Sequence, residues 1–144
     1  MGRTTVDARV RVEAPLARVF DRITDHEAMR DWPGVSACRL IAEGTPRNGL
    51  GAIRRITAWG LTLDEKVVQF EPPRRYDYSI IKGLPVEHRG VVRLAEVDGA
   101  VEVDWHVELS SRVPLLAQAV GAALRFGLPR ALRWFAQQTA HAAS

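Results

Sequence analysis

Three ionisable side chains, Glu65, Tyr78 and His88, each interrupt a run in which alternate residues are otherwise apolar. Leu61, Leu63, Glu65 and Val67 alternate with Thr62, Asp64 and Lys66; Tyr76, Tyr78 and Ile80 alternate with Asp77 and Ser79; Val86, His88, Gly90, Val92 and Leu94 alternate with Glu87, Arg89 and Arg93. Successive residues of a strand point to opposite sides, so the apolar sets are the inward ones, and each carries a polar tip into the interior. An imidazole can carry a proton near neutral pH, a phenol can donate to an enolate or carbonyl oxygen, and a carboxylate can orient the imidazole. The same groups could instead hold the polar end of an apolar ligand, or simply have their polar tips satisfied at the wall of a cavity. A buried carboxylate without a partner costs several kcal/mol or takes up a proton, so Glu65 needs a cation, a donor, water or a ligand. Arg54 is a candidate cation, but alternation does not decide its face: Arg54, Ile56 and Ala58 share one side, and Ile53, Arg55, Thr57 and Trp59 the other.

These residues need elements to position them. Val6, Ala8, Val10 and Val12 recur at strand spacing over Thr5–Glu13, and Leu16, Val19, Phe20 and Ile23 then recur at helical spacing behind Pro15, which suits a first helical turn. Asp25 reads as the N-cap of a second short helix that ends at Trp32-Pro33-Gly34. Six further strands follow: Val35–Glu43, Gly51–Trp59, Thr62–Phe70, Arg75–Ile81, Val86–Val97 and Ala100–Ser110. Turn signals separate them at 45–49, Pro72-Pro73, Lys82–Pro85 and Asp98-Gly99. An apolar stripe from about Leu115 to His141 predicts a long final helix, kinked by Pro129. Seven antiparallel strands have one face to hide, and that last helix alone is long enough to cover it. The expected fold is therefore α+β: a curved seven-stranded antiparallel sheet around a long C-terminal helix, with two short helices after the first strand.

The chain has 144 residues and 16.0 kDa, one domain's worth, read as a single unit spanning 1–144. Such a length buries roughly 68–70% of its unfolded surface, enough for a core with a cavity inside. Twenty basic and 17 acidic side chains give a formal charge of +3, but the basic ones, 18 of them Arg, lie scattered among acids and form no stripe that could track phosphates. Nucleic acid is not an expected partner. Cys38 is the only cysteine and reads as a small buried apolar residue, and no apolar stretch resembles a secretory signal or a membrane span, so a cytoplasmic setting is expected. Glu102, Asp104, His106 and Glu108 read as a solvated face over buried Val101, Val103, Trp105, Val107 and Leu109, and Asp25-His26-Glu27 as a helix cap. Neither has the spacing of a metal site, and no phosphate-loop or dinucleotide signature occurs; no metal or cofactor is expected.

The order of motifs resembles the START-like, or SRPBCC, superfamily, nearest to its polyketide cyclase/dehydrase branch. The residues that carry the resemblance are Ala14-Pro15 with Val19-Phe20, Asp25-x-Glu27 with Trp32 and Val35, and Gly49-x-Gly51 with Arg54. They continue with Glu65-x-Val67, Pro72-Pro73-Arg74-Arg75 before Tyr78, Gly83-x-Pro85, Gly90 and Trp105. Ala100 departs from the pattern, which usually has Thr there. The resemblance implies a helix-grip fold and an apolar small molecule, lipid or polyketide-like, held between sheet and helix, and it alone turns Arg54 inward. It supplies no invariant catalytic set. The expected ligand-binding residues are Arg54, Glu65, Tyr76, Tyr78, Ile80, His88, Val92 and Trp105, around a cavity on the order of 300 Å³ or more. The alternative is a cyclase or dehydratase of the aromatase type, with His88, Tyr78 and Glu65 as candidate acid/base residues; a third is an interaction protein with a vestigial cavity. The expected partner is a hydrophobic small molecule, and the expected state a monomer or weak homodimer.

Overall fold

The computed structural model describes residues 3–143, with side chains as far as Ala140; Met1, Gly2 and Ser144, at the ends of the expected domain, lie outside the described residues. The order is β1 (Thr4–Val12), α1 (Leu16–Ile23), a 3₁₀ helix (His26–Asp31), β2 (Val35–Ala42), β3 (Ile53–Ala58), β4 (Leu61–Glu71), β5 (Arg75–Lys82), β6 (Glu87–Val97), β7 (Ala100–Ser110) and α2 (Leu116–Ala143). All strands form one antiparallel sheet in the order β1-β7-β6-β5-β4-β3-β2. This is the helix-grip arrangement.

Two hairpins are tight because their turn residues accept positive φ: Asp98-Gly99 joins β6 to β7, and Trp59-Gly60, at φ 48 and 81, joins β3 to β4. Irregularities in the β4–β5 pairing at Asp64/Glu65 and Val67/Gln69 insert an extra residue on one side of the ladder, the kind of bulge that bends a sheet. They also reset the alternation so that Glu65, Val67, Phe70, Tyr76 and Tyr78 share the concave side.

Helix α2 continues through Pro129 as one element. It leans on β1, where Gly121 permits the approach: a Cβ there would sit 2.6 Å from Thr4 Cγ2. Against β3 and β4 it stands off, and the gap holds the cavity. Beyond the gap Trp32 packs against Trp105 and Phe135, at centroid distances of 5.9 and 5.4 Å. Val12, Val19, Ile23, Val101 and Leu132 are fully buried beside them.

Two local expectations need correction, and a third position adds a detail. Asp25 occupies the N-cap position of the 3₁₀ helix, but its side chain makes no capping hydrogen bond. Glu27 does not cap either; it accepts from the Leu40 N–H and from Arg47, tying the short helix to β2 and the loop after it. Asp64 and Asp77 point to the convex side, as alternation requires, yet both are buried, because arginines from adjacent positions lie over them.

Candidate functional site

Arg54 on β3 and Glu65 on β4 are direct cross-strand partners, and both side chains enter the concave side. Arg54 Nε donates to Glu65 Oε1 at 2.8 Å, with the guanidinium 2% exposed. Its Nη1 faces His26 Nδ1 at 3.0 Å, Met29 Sδ at 3.1 Å and Tyr76 Oη at 3.3 Å, while its carbon lies 4.6 Å from the centre of the Tyr78 ring. Nη2 of Arg54 and Oε2 of Glu65 have no hydrogen-bond partner among the described residues. Both residues line the cavity, and these atoms are the unused donor and acceptor of the pair.

His26 fixes the orientation of this cluster. Its Nε2 sits 2.9 Å from the Asn48 carbonyl, which can only accept, so Nε2 carries the proton and Nδ1 receives the Arg54 N–H. Burial first, then the Arg54 cation, hold its pKa down at about 3 against the help of the Asn48 carbonyl. The imidazole is therefore neutral. Cys38 donates its S–H to the His26 carbonyl, and burial raises its pKa to about 11, so the thiol is a structural strut and not a nucleophile.

Tyr78 lies one residue pair beyond, over Gly90 of β6, where a Cβ would come within 2.3 Å of its ring. Its oxygen accepts the Trp105 indole N–H at 2.9 Å. Burial, followed by the Glu65 charge, raises the pKa of this phenol, which stays protonated.

These groups close the polar end of a cavity of about 170 Å³ between sheet and α2. The rest of its wall is apolar, with Ile56 and Leu63 from the sheet facing Val120, Leu124 and Ala131 from α2. Trp59 stands at the mouth, half-exposed, with its indole against the bare backbone of Gly127 and Gly34. The void is smaller than the sequence led us to expect, since Met29, Trp32 and Trp105 intrude on it. Wider surface depressions, such as that between Glu13–Leu16 and Glu96–Val101, carry charged groups and no enclosed apolar wall.

Of the eight expected binding residues, Arg54, Glu65, Tyr78 and Trp105 line this cavity; Tyr76, Ile80, His88 and Val92 do not. Tyr76 and Val92 are fully buried in the packed core, Tyr76 beneath Arg54. Ile80 is partly buried, and its N–H donates to His88 Nδ1 at 3.3 Å. The His88 ring lies tilted against that of Tyr78, 5.1 Å between centroids, and burial, aided by Arg54 and opposed by Glu65, lowers its pKa. Glu65 thus pairs with Arg54, and no hydrogen bond joins it to His88 among the described residues. His26 and Met29 were not expected at the site from the sequence. Among the described residues no cluster of His, Cys, Asp or Glu is arranged to hold a metal ion, and no helix is long and apolar enough to cross a membrane.

Comparison with known proteins bears on the same architecture. A family described as polyketide cyclase/dehydrase and lipid transport matches residues 3–141. No curated protein matches the sequence. Among solved structures, a START superfamily protein from Mycobacterium smegmatis is 15% identical, with a TM-score of 0.76 over 94% of this chain and 98% of that one. A protein from Thermus thermophilus is 17% identical, with a TM-score of 0.78 over 97% and 99%. The protein XoxI from Bacillus cereus is 18% identical, with a TM-score of 0.73 over 96% of each. At such identities the likeness speaks for the fold alone.

Proposed function

This chain belongs to the polyketide cyclase/dehydrase and lipid-transport family, and on that premise we propose that it holds a small apolar or aromatic molecule between the sheet and α2. The observation that carries this reading is the apolar-walled cavity of about 170 Å³ whose polar end is the Arg54–Glu65 pair. Apolar walls with a few convergent polar groups are the usual make-up of a small-molecule site. An apolar cavity near 150 Å³ accepts a benzene-sized ring, so one ring or a short chain fits without displacement of the walls, and a second ring extends to the mouth at Trp59. A longer lipid would require α2 or Trp59 to move.

Proton-transfer chemistry by the Glu65, Tyr78 and His88 trio finds less support here. Glu65 pairs with Arg54 and makes no hydrogen bond to His88 among the described residues, His88 is not part of the cavity wall, and the Tyr78 phenol is held in its protonated form. Such a trio lacks the relay from carboxylate through imidazole to substrate that this chemistry would use.

The test is a titration with 2-acetylnaphthalene, followed by quenching of the intrinsic tryptophan fluorescence, since Trp32, Trp59 and Trp105, three of the four tryptophans, line the cavity. Saturable binding is expected in the wild type and its loss in Ala131→Phe, whose ring would fill the void from α2. Absence of binding to the wild type, or unchanged binding to a folded Ala131→Phe protein, would overturn the reading.

A further inference from the structure

We propose that the polar end of this cavity selects an uncharged ligand bearing a carbonyl or hydroxyl group over a carboxylate of the same shape, and that Glu65 imposes the choice. The inference rests on the ligand-holding reading above and adds to it the chemical class of the ligand's polar group.

The argument is one of charge balance in a dry place. Two ionised side chains line the cavity, Arg54 and Glu65, and they are already paired at 2.8 Å. Every other polar group of the cluster is neutral. His26 is the Nε2–H tautomer, locked by the Asn48 carbonyl on one side and the Arg54 N–H on the other. Tyr76 and Tyr78 are phenols, accepting from Arg54 and Trp105 respectively. The polar end therefore has no net charge. A carboxylate entering it would leave water, add a second anion beside Glu65, and find the only cation already neutralised.

What the cluster does offer is neutral hydrogen bonding. Arg54 is pinned through Nε and Nη1, which leaves the N–H groups of Nη2 as the unused donors of a residue that lines the void. Glu65 gives one oxygen to Arg54, which leaves Oε2 as an acceptor. A carbonyl oxygen answers the first and a hydroxyl or enol hydrogen the second, at no cost in charge. The ionised partners make each such bond stronger than a neutral pair would.

Glu65→Gln separates this account from simple steric fit. Glutamine keeps the shape and keeps a carbonyl oxygen for Arg54 Nε, but removes the anion, so Arg54 becomes an uncompensated cation at the floor of the cavity. The measurement is the ratio of dissociation constants for 2-acetylnaphthalene and 2-naphthoate, which differ little except in charge, by tryptophan quenching at pH 7 in constant salt. In the wild type the ketone is expected to bind about tenfold or more tightly than the carboxylate. In Glu65→Gln the naphthoate affinity is expected to rise by about tenfold or more, erasing or reversing the preference. Equal affinities in the wild type, or a ratio that Glu65→Gln leaves unchanged, would overturn the inference while the ligand-holding reading stands. Failure of both compounds to bind the wild type removes the reading on which the inference rests. Should Glu65→Gln not fold, the wild-type ratio still decides, because equal affinities alone refute selection by charge.

Discussion

Adjacent rungs of the β3–β4 ladder carry the same chemistry on opposite faces of the sheet: Arg54 faces Glu65 and, one step along, Arg55 faces Asp64. The outer pair is a closed fork. Arg55 Nε and Nη2 meet the two Asp64 oxygens at 2.8 and 3.0 Å, and the arginine is 36% exposed. The inner pair makes a single contact, and Arg54 shares the two N–H groups of Nη1 among His26, Met29 and Tyr76 while Nη2 stays unused. A bidentate fork satisfies both partners and offers nothing to a third molecule. The one-contact pair, dry and only partly satisfied, is the one that can still take a ligand. Ion-pair count says nothing about this difference; geometry and burial say all of it.

The comparison is broken most directly by removing the inner cation. Arg54→Met strands a carboxylate in an apolar cavity, and loss of one partner of a buried pair costs about 3–5 kcal/mol. Urea denaturation at pH 7 should show a midpoint displaced accordingly. The double variant Arg54→Met/Glu65→Met should regain most of that loss, since replacing a whole buried pair by apolar groups is often close to neutral. A double variant as unstable as the single one would mean that Arg54 acts chiefly through its contacts to His26, Tyr76 and Met29 and not through Glu65.

The strand faces were legible in the sequence because alternation is a local signal, and it put Glu65 and Tyr78 on the side of the sheet where they are found. The resemblance, not the alternation, turned Arg54 inward. His26 was illegible for a definite reason. It opens a six-residue 3₁₀ helix, between Asp25 and Glu27, too short for periodicity to distinguish a buried position from an exposed one. His88 shows the opposite failure: its face was assigned, but which inward residues reach the cavity depends on how rings pack, and the His88 ring lies against Tyr78 without joining the wall. Burial of Asp77 on the convex side depends on Arg75 and Arg89, the second from a neighbouring strand, so it becomes visible only once the register is known. The cavity volume is set by how Met29, Trp32 and Trp105 pack across elements remote in sequence, which no local pattern encodes.

The two faces should also titrate in opposite senses. On the inner side the His26 pKa is about 3 against an ordinary 6.5, so the unfolded chain binds the extra proton first. His26 stabilisation is thus complete above pH 6.5 and declines as pH falls toward 3, by about 1–2 kcal/mol at pH 5. His88, lowered by burial, acts in the same direction. On the outer side His106 is raised, first by its hydrogen bond to Asp7, so its contribution is present at low pH and fades as pH rises. Urea midpoints between pH 7.5 and 5 should therefore fall, and His26→Gln should flatten the slope. A slope unchanged by that substitution would assign the pH dependence elsewhere.

The smallest effect is expected from the outer rung, and its smallness is the point. Arg55→Gln removes a fork with good geometry, yet Arg55 is partly solvated and lies over Asp64 as a cover. Once the cover goes, water reaches the carboxylate, and Lys82, whose charge already lowers the Asp64 pKa behind the larger effect of Arg55, remains beside it. A pair with one solvated partner contributes little when solvent can replace that partner and salt screens what is left. The urea midpoint of Arg55→Gln should lie within measurement error of the wild type at high salt and close to it at low salt, and ligand affinity should not change. A loss approaching that of Arg54→Met would mean that the sheet depends on both faces alike. The contrast between a closed outer pair and an open inner one would then be a matter of shape alone.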